Sequence, residues 1–241
     1  MPTKIKGTAM VTGAAKRLGQ AVALHLADQG YTIALHYNNS KAEAMKTAQL
    51  LYKKRVRCEL FACDLADSRE VSRLMTQVCS SFPNLNLLIN SASVFVPNEF
   101  GATNLKLFES HWNINFKAPY VLSCEFARLV KKGQIINFID TNVVKYQTSY
   151  ADYLLTKKAL AEFTKMAAVA WGPKIRVNGI SPGMILPPVN HLKDDRLTRA
   201  KKIPLKRVGL PQYILETVQF FLQNTYVTGQ IIAVDGGEQL V

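Results

Sequence analysis

Tyr153 and Lys157 stand four residues apart, in Tyr153-Leu154-Leu155-Thr156-Lys157, inside a run of helix-like periodicity from Ala151 to Trp171. Residues at that spacing share one helix face, so a phenol and an ammonium group project together. A free phenol has a pKa of about 10, and a neighbouring cation lowers it toward the range where it serves as an acid at neutral pH. A second chemical feature is the turn Thr12-Gly13-Ala14-Ala15-Lys16-Arg17-Leu18-Gly19, which follows an apolar strand-like run and opens a helical pattern. Glycines there let the backbone approach a pyrophosphate, which then sits on free N–H groups at the helix N-terminus. A dinucleotide site beside a proton donor is what these two features imply together.

The elements that must position them alternate along the chain. Strand-like runs are Thr8–Val11, Tyr31–His36, Cys58–Ala62, Leu85–Asn90, Gln134–Ile139, Ile175–Ile180 and Ile231–Val234. Between them, helical periodicity covers Leu18–Gln29, Ser40–Lys54, Ser68–Ser81, Leu105–Val130, Ala151–Trp171 and Pro211–Gln223. Alternation of this kind implies βαβ units. The expected fold is α/β, a single-domain Rossmann-type doubly wound parallel sheet of seven strands with helices on both faces, spanning residues 1–241. The stretch from Pro182 to about Leu210 carries no clear element and is expected to be a substrate lid, at about 183–210.

With 241 residues, 48% of them hydrophobic, the chain can bury a sizeable core within one domain. A formal charge of +13 favours anionic partners such as nucleotide cofactors, folates, nucleic acid or lipid headgroups, and equally fits a solvated basic surface. No signal-peptide core follows Met1 and no apolar run nears the length of about 20 residues that a membrane helix needs, so a cytoplasmic protein without a membrane partner is expected. Cys58, Cys63, Cys79 and Cys124 form no CxxC pair and no His cluster accompanies them, so no metal site is expected.

An NAD site places an acid at the end of its second strand to accept from the ribose hydroxyls, whereas an NADP site avoids that charge. Here the segment reads His36-Tyr37-Asn38-Asn39-Ser40-Lys41, with no acid before Glu43, which favours NADPH.

The turn after the first strand resembles the TGxxxGxG loop of short-chain dehydrogenases, with Arg17 in place of the middle glycine. TGxxxRxG is similar to the pteridine reductases and bacterial dihydromonapterin reductases. The resemblance implies cofactor contacts from Gly13, Arg17, Leu18 and Gly19, with Arg17 reaching substrate as well; an exposed helix-start residue is the plain alternative for Arg17. His36-Tyr37-Asn38-Asn39-Ser40 resembles the His-Tyr-x-x-Ser stretch of pteridine reductases, which often carry arginine where Asn39 stands. Phosphate recognition would then rest on Arg17, Ser40, the two asparagine amides and Lys41, although these residues also suit a simple turn. Asp64, in Cys63-Asp64-Leu65, matches the aspartate that receives the adenine amino group, and capping the next helix is an equal alternative. Asn90-Ser91-Ala92-Ser93 after the fourth strand, the turn Pro182-Gly183 on the nicotinamide side, and Val234-Asp235-Gly236-Gly237 extend the resemblance over the whole chain. They add Asn90, Ala92, Ser93, Pro182 and Gly183 to the implied cofactor site.

The same family resemblance implies that Lys157 also holds the nicotinamide ribose and that Asn115 joins a water-bridged proton relay, a helix-surface amide being the alternative. Thirteen residues before Tyr153, where most of the family carries serine, stands Asp140, as in the pteridine and dihydromonapterin reductases. Its charge raises the pKa of Tyr153, against the effect of Lys157. Ser93-Val94-Phe95-Val96-Pro97 resembles the pteridine reductase segment whose phenylalanine stacks the pterin on the nicotinamide, while Phe95 could equally be a core aromatic. The implied catalytic set is Asp140, Tyr153, Lys157 and Asn115, and the implied substrate set Arg17, Ser93, Phe95, Asp140 and Tyr153. A homotetramer built on the two long helices is also implied. Lys193, Arg196, Arg199, Lys201, Lys202, Lys206 and Arg207 crowd the lid, where they could attract a folate glutamate tail or form a solvated face.

Three functions compete at this point. A reductase acting on a pterin or folate fits Asp140. A carbonyl reductase such as a 3-oxoacyl carrier-protein reductase would call for serine there. A nucleic-acid-binding protein would use the charge but has no need of an intact Tyr153–Lys157 pair, so no nucleic-acid partner is expected.

Overall fold

The structure, a computed structural model, describes residues 6–98, 100–101, 104–187 and 196–241. Seven strands, β1 (Gly7–Val11), β2 (Tyr31–Tyr37), β3 (Cys58–Ala62), β4 (Leu85–Asn90), β5 (Gly133–Phe138), β6 (Ile175–Pro182) and β7 (Ile231–Val234), form one parallel sheet in the order β3-β2-β1-β4-β5-β6-β7. Met10 lies opposite both Ala34 and Leu88, and the β1–β4 register shifts between Thr8 and Ala9.

These strands read as unbroken apolar runs because both faces of the sheet are covered. Ala9 and Val11 point to a core shared with α1 (Arg17–Asp28), α2 (Lys41–Lys53) and α8 (Pro211–Gln223), through Val22, Leu26, Leu51, Val218 and Phe221. Met10, between them, points the other way, into a core with α3 (Ser68–Ser81), α5 (Ala118–Leu129) and α6 (Ala151–Trp171), through Leu74, Val78, Phe126 and Ala167. Each large side chain so buried stabilises the fold by about 1.5–3 kcal/mol relative to exposure.

The structure departs from the sequence expectation in three places that bear on the site. The helix expected over Leu105–Val130 is interrupted: α4 (Leu105–Trp112) passes through a π-helical turn, Asn113–Lys117, before α5. Ala118 donates its N–H to Asn113, five residues back, and Pro119 has no N–H to offer the carbonyl of Asn115. Second, β6 runs two residues further than expected, so that Pro182 pairs with Val234 and the turn at Gly183 starts from a strand end. Third, the expected lid contains a short helix, α7 (Arg196–Ala200). Lys193 and the rest of 188–195 lie outside the described residues.

Candidate functional site

A groove of about 630 Å³ opens where the strand order reverses, lined by the segments that follow β1, β2 and β4. Ligands of doubly wound sheets bind at this switch point. Gly13 has φ +64°, and a Cβ on it would meet the Ala92 backbone at 3.0 Å. A Cβ on Gly19 would fall 2.4 Å from the Gly13 carbonyl oxygen, so both glycines are needed for the loop to close on the helix. No side chain caps the start of α1 and its first turn holds no acid, which leaves the N-terminal N–H groups to an anion. This cradle fits a dinucleotide.

Arg17 adopts φ +57°, a left-handed conformation that costs a non-glycine residue about 1 kcal/mol or more. Its guanidinium donates to the Pro187 carbonyl at 2.5 Å, and the residue lines both this groove and the cavity next to it. Leu18, Tyr37, Asn38, Asn39, Ser40, Leu65, Ala92 and Ser93 line the groove as well.

His36 also reaches the groove wall, but its ring is 2% exposed and acts as a brace. Nδ1 accepts from the Gly13 N–H at 3.1 Å, which leaves Nε2 to donate to the Cys63 carbonyl at 3.1 Å. The bond from Gly13 needs the neutral ring, because a protonated Nδ1 cannot accept, and burial pushes the ring's pKa down to about 4. The unfolded chain takes up this proton from about pH 6.5 downward while the folded chain does not, so stability falls as pH drops through that window. Between pH 7 and pH 4.5, His36 should remove about 2–3 kcal/mol of stability. Urea titration of wild type and His36→Gln at both values checks this, because the variant should show that much less pH dependence.

Asp64 does not cap α3. Asp67 holds that place, accepting from the Arg69 and Glu70 N–H groups at 2.8 and 3.3 Å. Asp64 accepts instead from Ala66 N–H at 3.0 Å and from the Asn38 amide at 3.3 Å, next to the groove. Asn90 turns its amide away from the groove, donating to Ser123 and Asn137 in the buried sheet–helix layer at 3.2 and 2.8 Å. A residue that sequence reasoning passed over, Thr12, fixes the loop after β4 by accepting from the Ser91 and Ala92 N–H groups, each at 3.0 Å.

Beside the groove lies a second cavity of about 340 Å³, whose lining includes Arg17, Phe95, Asp140, Tyr153, Pro182 and Gly183. The Tyr153 hydroxyl donates to Asp140 Oδ2 at 2.8 Å. Oδ1 of the same carboxylate accepts from the backbone and side-chain amides of Asn142 at 2.8 and 2.9 Å. Lys157, 3% exposed, donates to the Phe138 carbonyl at 2.8 Å and lies 5.8 Å from the Tyr153 ring centre.

The expected drop in the Tyr153 pKa is reversed. Burial, reinforced by the charge and hydrogen bond of Asp140, pushes the phenol well above its usual value. Burial likewise brings Lys157 down to about 8, against the pull of Asp140. Tyr153 is thus held protonated, as a proton donor must be.

Asn115 is fully buried in the π-helical turn. Its Oδ1 accepts from Val94 N–H at 2.8 Å and the Ser93 hydroxyl at 3.1 Å, and its amide donates to the Val94 carbonyl at 2.9 Å. The side chain clamps the loop that carries Phe95 and is not an exposed helix-surface amide. Phe95, 47% exposed, is no core residue: it stacks on Tyr150 at 4.5 Å and meets Tyr153 edge-on at 4.8 Å. Tyr150 escaped notice because it precedes the helical periodicity as the N-cap of α6.

Among the described residues no helix is long and apolar enough to cross a membrane, and no group of three or more His, Cys, Asp or Glu could hold a metal ion.

A phosphate cradle at the switch point, opening beside a buried phenol and ammonium group, makes this an oxidoreductase of the doubly wound, dinucleotide-binding class. The chain belongs to the short-chain dehydrogenase/reductase family: a family model described as enoyl-(acyl carrier protein) reductase matches residues 13–239. A 3-oxoacyl-[acyl-carrier-protein] reductase, FabG, of Staphylococcus aureus is 31% identical over 250 residues, covering 97% of this chain and 98% of the relative. Among solved structures, FolM alternative dihydrofolate reductase 1 from Brucella suis, in complex with NADP, is 32% identical with a TM-score of 0.93, over 98% of this chain and 96% of that one. A blue fluorescent protein from a metagenomic library, in complex with NADPH, is 29% identical with a TM-score of 0.90, over 97% and 98%.

Proposed function

We propose that the protein reduces a pteridine C=N bond, taking a dihydropterin, dihydromonapterin or dihydrofolate to its tetrahydro form, with NADPH as reductant. The observation that carries this reading is the carboxylate of Asp140, bonded to Tyr153 where a carbonyl reductase would need a neutral donor. Likeness to the Brucella FolM protein supports it.

The cofactor's pyrophosphate would rest on the start of α1, its further phosphate on Arg17 and the Asn38–Ser40 turn, and its nicotinamide ribose on Lys157. NADPH supplies the hydride. The chain supplies the proton: Tyr153 is held protonated, its O–H directed at Asp140, and Asp140 faces the cavity where the ring nitrogen must gain a hydrogen. Phe95, stiffened by Tyr150, offers a flat face to a planar ring. Asn115 positions that face by clamping Ser93 and Val94.

A second reading, reduction of a 3-oxoacyl carrier-protein thioester, is favoured by likeness to the staphylococcal FabG proteins and by the +13 charge, which suits an acidic carrier. Steady-state oxidation of NADPH across dihydropterin, dihydrofolate and a 3-oxoacyl thioester separates the two. Turnover is expected on a pterin or folate and not on the thioester. The same preparation should bind NADPH more tightly than NADH by fluorescence titration, and equal affinities would remove the cofactor assignment.

A further inference from the structure

The substrate cavity holds a second carboxyl group that the proton pathway does not use. Glu238 opens the C-terminal 3₁₀ turn, Glu238–Leu240, and lines the same cavity as Asp140 and Tyr153 while only 8% exposed. Its Oε1 lies 3.5 Å from Arg199 Nη2, a long pairing with a guanidinium that is itself half open to water. Its Oε2 is buried with no hydrogen-bond donor. That oxygen packs against the bare backbone of Gly183, where a Cβ would come within 2.9 Å of it. Burial raises the carboxyl's pKa, opposed by Arg199 and Lys145 and reinforced by Asp140 and Asp235. A buried acceptor without a donor is unfavourable, and native structures keep few of them.

An occupant of the cavity that Glu238 lines can supply the missing donor. We propose that Glu238 is a specificity-determining residue whose carboxylate accepts N–H groups from the amino-substituted pyrimidine edge of the substrate ring. This rests on the pteridine reading above. An aminopyrimidinone presents N–H donors side by side, which the two oxygens of a carboxylate match. The reacting end of a 3-oxoacyl thioester carries only carbonyl acceptors and would leave Oε2 as bare as before. The two carboxyl groups then have separate tasks: Asp140 serves the bond being reduced, and Glu238 reads the edge of the ring that does not react.

Calorimetric titration of the complex with oxidised NADP tests this, using a dihydropterin and the matching dihydrolumazine, in which a carbonyl oxygen replaces the amino group. Wild-type protein should bind the amino compound at least about tenfold more tightly, the worth of a hydrogen bond to a charged group. In Glu238→Gln the amide can turn either its N–H or its C=O to the ring, and the preference should shrink to about threefold or less. The ligand comparison in wild type needs no variant, so equal binding of the two rings overturns the role of Glu238 even if the substitution unfolds the chain. Equal binding of both rings by wild type, or full discrimination retained in Glu238→Gln, overturns the role of Glu238 and leaves the pteridine reading standing. Binding of neither ring overturns both.

Discussion

Tyr153→Phe should leave the protein folded and able to bind NADPH, while turnover on every pterin should fall by about 10²–10⁴-fold, the usual worth of a positioned general acid. The side chain is buried and its ring packs edge-on against Phe95, contacts that phenylalanine keeps. What the substitution deletes is the hydroxyl and its bond to Asp140. Asp140 then keeps its two bonds from Asn142 and loses the donor that faces the reaction. Lys157→Ala should act differently, lowering cofactor affinity and turnover together, because it removes a buried ammonium group and opens a void beside the Phe138 carbonyl. Single-turnover kinetics with NADPH fluorescence separate the two patterns. A Tyr153→Phe enzyme with wild-type turnover would remove the phenol from the mechanism.

The Tyr153–Lys157 pair and the Gly13–Gly19 loop were legible in the sequence because each depends on local spacing within one helix or one strand–helix turn. The strands β3, β4 and β7 and the helices α3, α6 and α8 lie where the apolar runs put them. Local chemistry helps at their ends: Asp67 caps α3 and Pro211 starts α8. What stayed hidden depends on distant parts of the chain. The cap of α3 is Asp67, three residues past Asp64, and only the fold shows that Asp64 turns to Asn38 instead. In α7 a single residue, Ala200, is buried, so no apolar stripe announces the helix. The π-helical turn at Asn113–Lys117 keeps the helical period nearly intact on either side, and Pro119 was the sole signal of a break. The direction of the Tyr153 pKa could not be read from Lys157 alone, since its largest cause is burial, a property of the packed sheet and helices. Glu238 reaches the cavity only because β7 pairs with β6 beside the Gly183 turn.

Asp140→Ser should cut dihydropterin turnover by about 10²-fold or more while leaving NADPH affinity largely unchanged, because it removes the carboxylate that accepts the phenol's hydrogen bond and, on the proposed reading, passes its proton toward the ring. Reduction of a ketone puts negative charge on oxygen, and a carboxylate about 4 Å away opposes that charge by roughly 4 kcal/mol at an effective dielectric of about 20. That corresponds to about a thousandfold in rate. Reduction of a C=N bond makes an amine nitrogen that takes up a proton, so the same carboxylate assists. The serine variant should therefore gain weak activity on activated ketones as it loses activity on pterins. Its pH profile should move as well. Asp140 contributes two of the three causes that raise the Tyr153 pKa and also holds up that of Lys157 against burial. Without it both values fall, so the protonated phenol and the charged ammonium are lost at lower pH, and the alkaline limb of kcat shifts to lower pH. Pterin and ketone turnover measured side by side in wild type and variant, each across the alkaline range, checks all three effects. An efficient wild-type reduction of a 3-oxoacyl thioester with no activity on any pterin would reverse the assignment, since the carboxylate at position 140 would then be tolerated beside a developing oxyanion.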